Sequence, residues 1–193
     1  MKRYCLYLFI LIGISCSAEL KAQKNGTVYK GNDPAVRYTG RTLVSPDGSV
    51  AFDWVGTYLE TRFTGGKLSV KVSETGTSYY NVFVDGKLHK VVKVCGTDTL
   101  IHLVSGIDKR IHSLKIQKRS EGEFGKTTVH QFVLSGSGRL AEEPAVRTRH
   151  IEFIGNSLTC GYGTDGKHRD EPFLVETENC NLTFASMVAR YYD

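Results

Sequence analysis

The stretch YLETRFTGGKLSVKV at residues 58–72 decides the fold class, because apolar and polar residues alternate along it. Leu59 and Phe63 fall on one side of an extended chain, and Glu60 falls on the other. This period of two is typical of a β-strand with one buried face and one solvated face. It recurs through most of residues 28–134, where no helical period of apolar residues occurs. The pattern predicts a mainly β protein with an antiparallel sandwich of the jelly-roll type.

Turn signals divide this β-rich region into short strands. Asp85-Gly86 follows the run Asn81 to Val84 and predicts a two-residue hairpin turn, because both residue types tolerate a positive φ. Further turns are expected at Asp47-Gly48, Gly65-Gly66, Glu74 to Gly76 and Gly122 to Gly125. Strands that are short and regularly interrupted favour a sandwich or jelly roll, which we assign to residues 23–147.

The composition is that of a globular protein. Of the 193 residues, 40% are hydrophobic and 23% are charged, so a packed core is expected and a disordered chain is excluded. The formal net charge is +5, and the basic residues are scattered along the sequence. We therefore expect no nucleic-acid partner.

Residues 1–22 are expected to be a secretory signal peptide. Lys2 and Arg3 precede an apolar stretch over residues 6–14, which is too short to span a bilayer. The sequence therefore predicts export to the periplasm or the cell exterior, without stable membrane insertion.

The end of the signal leaves two alternatives open. Cleavage after Ala18 or Ala22 would release the chain. A lipid anchor at Cys16 is disfavoured, because Gly13 stands where a lipoprotein signal usually has a bulky aliphatic residue.

Three cysteines, Cys95, Cys160 and Cys180, follow the signal peptide. A disulfide between Cys160 and Cys180 is favoured by the short intervening loop, although three unpaired, buried thiols fit the spacing equally well. None of the three has the spacing of a zinc site, and we expect no metal.

A second unit is predicted after a linker at residues 135–144. His150 to Ile154 has the character of a short strand, and a glycine-rich turn follows it. Four apolar residues then recur with helical spacing, namely Phe184, Met187, Val188 and Tyr191. One strand and one helix cannot bury their own faces, so residues 148–193 are expected to be the incomplete start of an α/β domain.

Ser157 is the candidate nucleophile of this second unit. It follows the predicted strand, and Gly155 and Asn156 form the turn that presents it. Strand ends are where α/β folds place their sites, and backbone N–H groups there can hold an oxyanion. A serine needs a base, usually histidine, and an isolated Gly-x-Ser is more often a plain turn.

The longer pattern RHIEFIGNSLTCGYG at residues 149–163, with TEN at residues 177–179, resembles carbohydrate esterase family 2 of the SGNH hydrolase superfamily. That family combines an N-terminal jelly roll with an SGNH domain, in the order predicted here. The resemblance implies that Ser157 is the nucleophile and that its backbone N–H is an oxyanion donor. It also implies a carbohydrate O-acetylesterase that uses no cofactor or metal, with acetylated xylan or glucomannan, or their oligosaccharides, as substrate.

Parts of the family pattern have no counterpart in the chain. The catalytic histidine and the remaining oxyanion donors are absent, so the chain alone is expected to be inactive. Asp165 and His168 have the Asp-x-x-His form of the family's acid and base, but they lie too close to Ser157 and are expected to be solvated loop residues. The histidines at positions 102, 112, 130 and 150 are expected to have structural roles.

Two other functions remain open at this point. The chain could be a non-catalytic glycan-binding module, with sugars stacking on the aromatic residues Trp54, Tyr58, Tyr79 and Tyr80. Burial in the core is the expected role of Trp54, which lies beside alternating apolar residues. A structural envelope domain without a ligand is the third alternative.

Overall fold

The computed structural model describes residues 26–142 and 145–192. The predicted signal peptide and the possible lipid anchor at Cys16 lie outside the described residues. The β-strands are β1 Thr27–Lys30, β2 Val36–Thr39, β3 Leu43–Val44, β4 Val50–Phe52, β5 Tyr58–Val84, β6 Lys87–Lys118 and β7 Thr127–Ser135. The helices are α1 Ser157–Cys160 and α2 Phe184–Tyr191, and short 3-10 turns cover Gly122–Phe124, Val175–Thr177 and Cys180–Leu182.

The seven strands form one antiparallel sheet that curls on itself. Its order is β2-β5-β7-β4-β3, with β1 added to β7 and β6 added to β5. Tyr58 lies opposite Gln117, and Asn81 lies opposite both Val91 and Gln117. The two long strands therefore bend and meet twice, which closes the sheet around a core and confirms the mainly β prediction.

The core consists of the apolar residues that the alternation placed on one face. Leu59, Phe63, Leu68 and Phe132 are each 2% exposed or less. Thr61 shares their face and is also buried, and its hydroxyl donates to the Ala35 carbonyl at 2.7 Å. Burial of an apolar side chain of this size stabilises the fold by about 1.5–3 kcal/mol.

One of the predicted turns is confirmed, and two others are replaced by bends within a strand. Asp85 and Gly86 have φ values of 50° and 75°, and they form the expected hairpin turn between β5 and β6. The turns predicted at Gly65-Gly66 and at Glu74 to Gly76 are wrong, because both sites lie inside β5 at shifts of register. Glycine in a bulge lets a strand bend without leaving its ladder, so these glycines produce corners and not strand ends.

The predicted burial of Trp54 is also wrong. Its side chain is 57% exposed, in the loop between β4 and β5. The guanidinium of Arg41 lies 5.1 Å from the centroid of the indole ring. Tyr80 is buried in the core, whereas Tyr58 and Tyr79 are half-buried.

Residues 145–192 contain helix α2, as predicted, but the expected strand at residues 150–154 is not formed. This segment has no ladder partner among the described residues, and Ile154 is 90% exposed. A strand of a parallel sheet forms only when a neighbouring strand supplies its hydrogen bonds. No helix within residues 26–142 and 145–192 is long and apolar enough to cross a membrane.

The disulfide between Cys160 and Cys180 is not formed. Cys95 is exposed, Cys160 is half-buried and Cys180 is buried, and all three thiols are free. The Cys180 thiol donates to the Lys118 carbonyl at 3.3 Å. This hydrogen bond ties Cys180 to the end of β6, and thus to the curled sheet of residues 27–135, which we call the β domain.

Candidate active site

Ser157 is the first residue of the one-turn helix α1. The Asn156 side chain caps this helix, because its Oδ1 accepts a hydrogen bond from the Leu158 N–H at 3.2 Å. The N–H groups of Thr159 and Cys160 donate to the Asn156 carbonyl at 2.9 and 3.1 Å. Among the described residues, Ser157 is therefore the one member of α1 whose N–H has no recorded partner.

Two glycines fix the backbone on either side of α1. A Cβ at Gly155 would lie 2.1 Å from the Thr159 hydroxyl oxygen, so a side chain there would collide with the helix. Gly161 ends the helix at φ 91°, where a Cβ would lie 2.6 Å from the Asn179 carbonyl oxygen. The Asn179 N–H donates back to the Gly161 carbonyl at 3.0 Å. This bond holds residues 155–161, the serine turn, against residues 177–179, the TEN segment.

A buried arginine of the β domain holds the TEN segment from the other side. Arg119 is 3% exposed, and its Nε donates to the Glu178 carbonyl at 2.9 Å. Its Nη2 donates to the Glu176 carbonyl at 3.0 Å and forms an ion pair with Asp165. One side chain thus connects the end of β6 to Asp165 and to residues 176–178, which both follow the serine turn in sequence.

Asn179 completes this contact. Its Nδ2 donates to Asp165 Oδ2, and its Oδ1 accepts from Asn81 Nδ2, both at 3.0 Å. The Tyr79 hydroxyl donates to the Glu176 carboxylate at 3.3 Å. The TEN motif therefore attaches the serine turn to β5, a role that local sequence patterns did not reveal.

Asp165 is an exposed loop residue, as expected, but it also has a structural partner that the sequence did not predict. Its side chain is 33% exposed and is paired with buried Arg119, which lies 46 residues away in sequence. His168 is exposed, as predicted. In the described part of the chain, no recorded hydrogen bond joins the Ser157 hydroxyl to a histidine.

The strand histidines have structural partners, as expected. Ser69 bonds to His102 and Ser73 to His130, each at 2.8 Å. The buried His112 ring lies between Asp85 at 2.8 Å and Asp108 at 2.9 Å. The hydrogen bond from His112 and that from the Ser113 N–H hold the pKa of Asp85 below its usual value.

A second polar cluster includes the last residue of α1 and two glutamates from other segments. Glu121, Cys160 and Glu178 bring one carboxylate oxygen, the thiol sulfur and another carboxylate oxygen within 4.8 Å of one another. Burial raises the pKa of Glu178 to about 7. Burial, followed by the charge of Glu121, raises the pKa of the Cys160 thiol to about 12. Sequence spacing missed this cluster, because its members come from three separate segments.

Comparison with known protein families identifies the β domain. The family model described as carbohydrate esterase 2 N-terminal matches residues 38–144, which is more than half of the chain. The match covers six of the seven strands wholly or in part and ends before the serine turn.

Individual relatives are similar over longer stretches of the chain. The cellulase/esterase CelE of Acetivibrio thermocellus is 33% identical over 159 residues, which are 82% of this chain and 19% of that protein. An acetylxylan esterase / glucomannan deacetylase of Cellvibrio japonicus is 29% identical over 135 residues, covering 69% of this chain and 37% of the relative.

A solved structure shows the same fold. A family two carbohydrate esterase from Clostridium thermocellum, in complex with cellohexaose, superposes with a TM-score of 0.77 and 33% identity. The superposition covers 81% of this chain and 48% of the other, so the chain spans less than half the length of these relatives. By the match over residues 38–144, the chain belongs to carbohydrate esterase family 2.

Proposed function

We propose that this chain supplies the nucleophile of an exported carbohydrate O-acetylesterase that deacetylates plant polysaccharides such as xylan or glucomannan. The observation that carries this proposal is the position of Ser157, which is exposed at the start of α1 beside its own N–H, and that N–H has no partner among the described residues. A relative named acetylxylan esterase / glucomannan deacetylase supports the substrate class.

The chemistry is that of an acyl-serine pathway. The Ser157 hydroxyl oxygen would add to the carbonyl carbon of an O-acetyl group while a histidine takes the hydroxyl proton. Collapse of the tetrahedral intermediate would leave the acetyl group on Ser157 and return that proton to the released sugar oxygen. Water would then hydrolyse the ester to acetate and free serine, and the Ser157 N–H would stabilise the oxyanion in both steps.

The base of this reaction is proposed to come from a further part of the α/β layer. Apolar side chains around α1 and α2 are exposed in the described chain: Ile154 90%, Leu158 77%, Met187 53% and Tyr191 81%. An apolar face of this kind usually marks an interaction surface. A segment that covers it would complete the layer and bring a histidine to Ser157, and the chain alone is expected to be inactive.

Acetate release from acetylated xylan tests the proposal. The chain, a longer protein that also contains the rest of the α/β domain, and Ser157→Ala of each are compared. Ser137→Ala is the matched control, because Ser137 is exposed and lies outside the serine turn. We expect activity in the longer protein and its control only. Full activity after Ser157→Ala would contradict the proposed nucleophile.

Exposed Trp54 favours a second candidate, a non-catalytic glycan-binding module. A flat indole that is 57% exposed can stack on a pyranose ring, and a solved relative is in complex with cellohexaose. If no form of the protein hydrolyses acetate esters but cellohexaose binds and Trp54→Ala abolishes that binding, this second function is the correct one.

A further inference from the structure

The cluster of Glu121, Cys160 and Glu178 joins the two regions of the molecule. Glu121 follows β6, Cys160 ends α1, and Glu178 belongs to the TEN segment. Their potential ligand atoms lie within 4.8 Å of one another. The cluster is thus placed where the serine turn contacts the β domain.

Glu178 is the member whose hydrogen bonding is incomplete. The residue is fully buried, and its Oε2 accepts one long bond from the Glu121 N–H at 3.3 Å. Its Oε1 is buried and has no hydrogen-bond partner in the described part of the chain. A buried carboxylate oxygen without a partner is costly, and native proteins usually satisfy such an atom with a donor or a cation.

The neighbouring cations of the protein donate their hydrogen bonds to groups other than the Glu178 carboxylate. Lys118 Nζ donates to Ser78 Oγ at 2.5 Å and to the Gly125 carbonyl at 3.1 Å. Arg119 binds the Glu178 carbonyl, and its charged end pairs with Asp165. Neither side chain has a recorded hydrogen bond to the Glu178 carboxylate among the described residues.

We propose that Glu121, Cys160 and Glu178 bind a zinc ion, with a fourth position open to water. A thiolate with carboxylate oxygens suits Zn²⁺, whereas Ca²⁺ and Mg²⁺ select oxygen ligands alone. Ligand atoms around tetrahedral zinc are separated by about 3.4 Å, so the three ligand atoms, which lie within 4.8 Å of one another, need to approach by at most about 1.4 Å. The Cys160 thiol would release its proton to solvent when it coordinates the metal.

The bound ion would have a structural role. It would connect the last residue of α1 both to the β domain and to the TEN segment, and so hold the helix that begins with Ser157. No step of ester hydrolysis passes through the zinc, and its binding can be measured without any substrate. The zinc site therefore stands or fails independently of the proposed esterase function.

Cobalt substitution provides the test, because a thiolate bound to Co²⁺ absorbs in the near ultraviolet. The purified chain, with its thiols kept reduced by a phosphine, is titrated with Co²⁺ and then with Zn²⁺. We expect one Co²⁺ per chain, a thiolate absorption band, and loss of that band when Zn²⁺ displaces the cobalt. Cys160→Ala should abolish the band, whereas Cys95→Ala, which removes an exposed thiol outside the cluster, should retain it.

The carboxylates are tested by affinity. Glu178→Gln should weaken Zn²⁺ binding at least tenfold, and circular dichroism establishes that the variant is folded. If it is not folded, half-buried Glu121→Gln provides the same comparison with the same expected loss. Absence of a thiolate band in the unmodified chain, its survival in Cys160→Ala, its loss in Cys95→Ala, or unchanged affinity in a folded Glu variant would overturn the proposal.

Discussion

The β domain and residues 145–192 are stabilised in different ways. The curled sheet buries its own apolar face, with Phe63 and Phe132 fully inaccessible to solvent. The following segment keeps most of its large apolar side chains exposed and is attached through polar contacts of Arg119 and Asn179. A domain can therefore complete its core while the proposed nucleophile next to it depends on a few directional contacts.

The largest effect is expected from the core of the β domain. Phe63→Ala should lower the free energy of unfolding by about 3–5 kcal/mol, because it leaves a cavity in a fully buried position. Urea denaturation measures this loss. Leu88→Ala, at a side chain that is 57% exposed on β6, should change stability by less than about 0.5 kcal/mol. Similar losses in both variants would contradict the assigned core.

Arg119→Ala should loosen residues 155–165 without loosening the core of the β domain. The variant loses hydrogen bonds to the Glu176 and Glu178 carbonyls and the ion pair with Asp165, and we expect a cost of about 2 kcal/mol. Hydrogen exchange should accelerate at residues 155–165 and remain slow in the β core. The control is Arg169→Ala, whose side chain is 92% exposed. Equal acceleration throughout the chain would show that the regions do not separate.

The pH dependence of the β domain provides a smaller effect. Hydrogen bonds from His112 and Ser113 lower the pKa of Asp85, and those from Arg110 and then His112 lower the pKa of Asp108. A lowered folded-state pKa stabilises the fold above the unfolded value of about 4, and this stabilisation is lost as the pH falls through the folded value.

Asp85→Asn should therefore reduce the drop in Tm between pH 7 and pH 3. Asp170→Asn, at an exposed carboxylate outside the β domain, is the control and should leave that drop unchanged. An unaltered drop in Asp85→Asn would show that the His112 pair does not contribute to acid unfolding.

The smallest effect in the chain alone is expected at its exposed apolar face. Ile154 is 90% exposed, so Ile154→Ala should change the stability of the chain by less than about 0.5 kcal/mol. In the longer protein, where we propose that this face is covered, the same change should cost about 2–5 kcal/mol. Equal, small effects in both proteins would contradict the proposed packing surface.

Local patterns predicted most of the β domain. Alternation placed Leu59 and Phe63 in the core, and Asp85-Gly86 marked its hairpin. The glycines of β5 were wrongly predicted to form turns, because a bulge and a turn require the same backbone freedom. The exposed position of Trp54 could not be predicted, because apolar neighbours in sequence do not show whether a loop residue packs on the core or faces solvent.

The serine turn was recognisable, but its supports were not. Gly155, Asn156 and Ser157 are consecutive, so the turn and the candidate nucleophile could be proposed from the sequence. Arg119 and Asp165 meet across 46 residues, and the cluster around Glu178 combines three distant segments. Contacts of this kind depend on the tertiary fold and leave no periodic signal in the sequence.

Trapping the acyl-enzyme tests the central claim most directly. The longer protein is mixed with an aryl acetate, quenched in acid within milliseconds, digested and analysed by mass spectrometry. We predict one acetyl group on Ser157, which Ser157→Ala removes and Ser137→Ala retains. Acetate release without acetylation of Ser157, or the same acetylated peptide from the Ser157→Ala variant, would contradict the claim that Ser157 is the nucleophile.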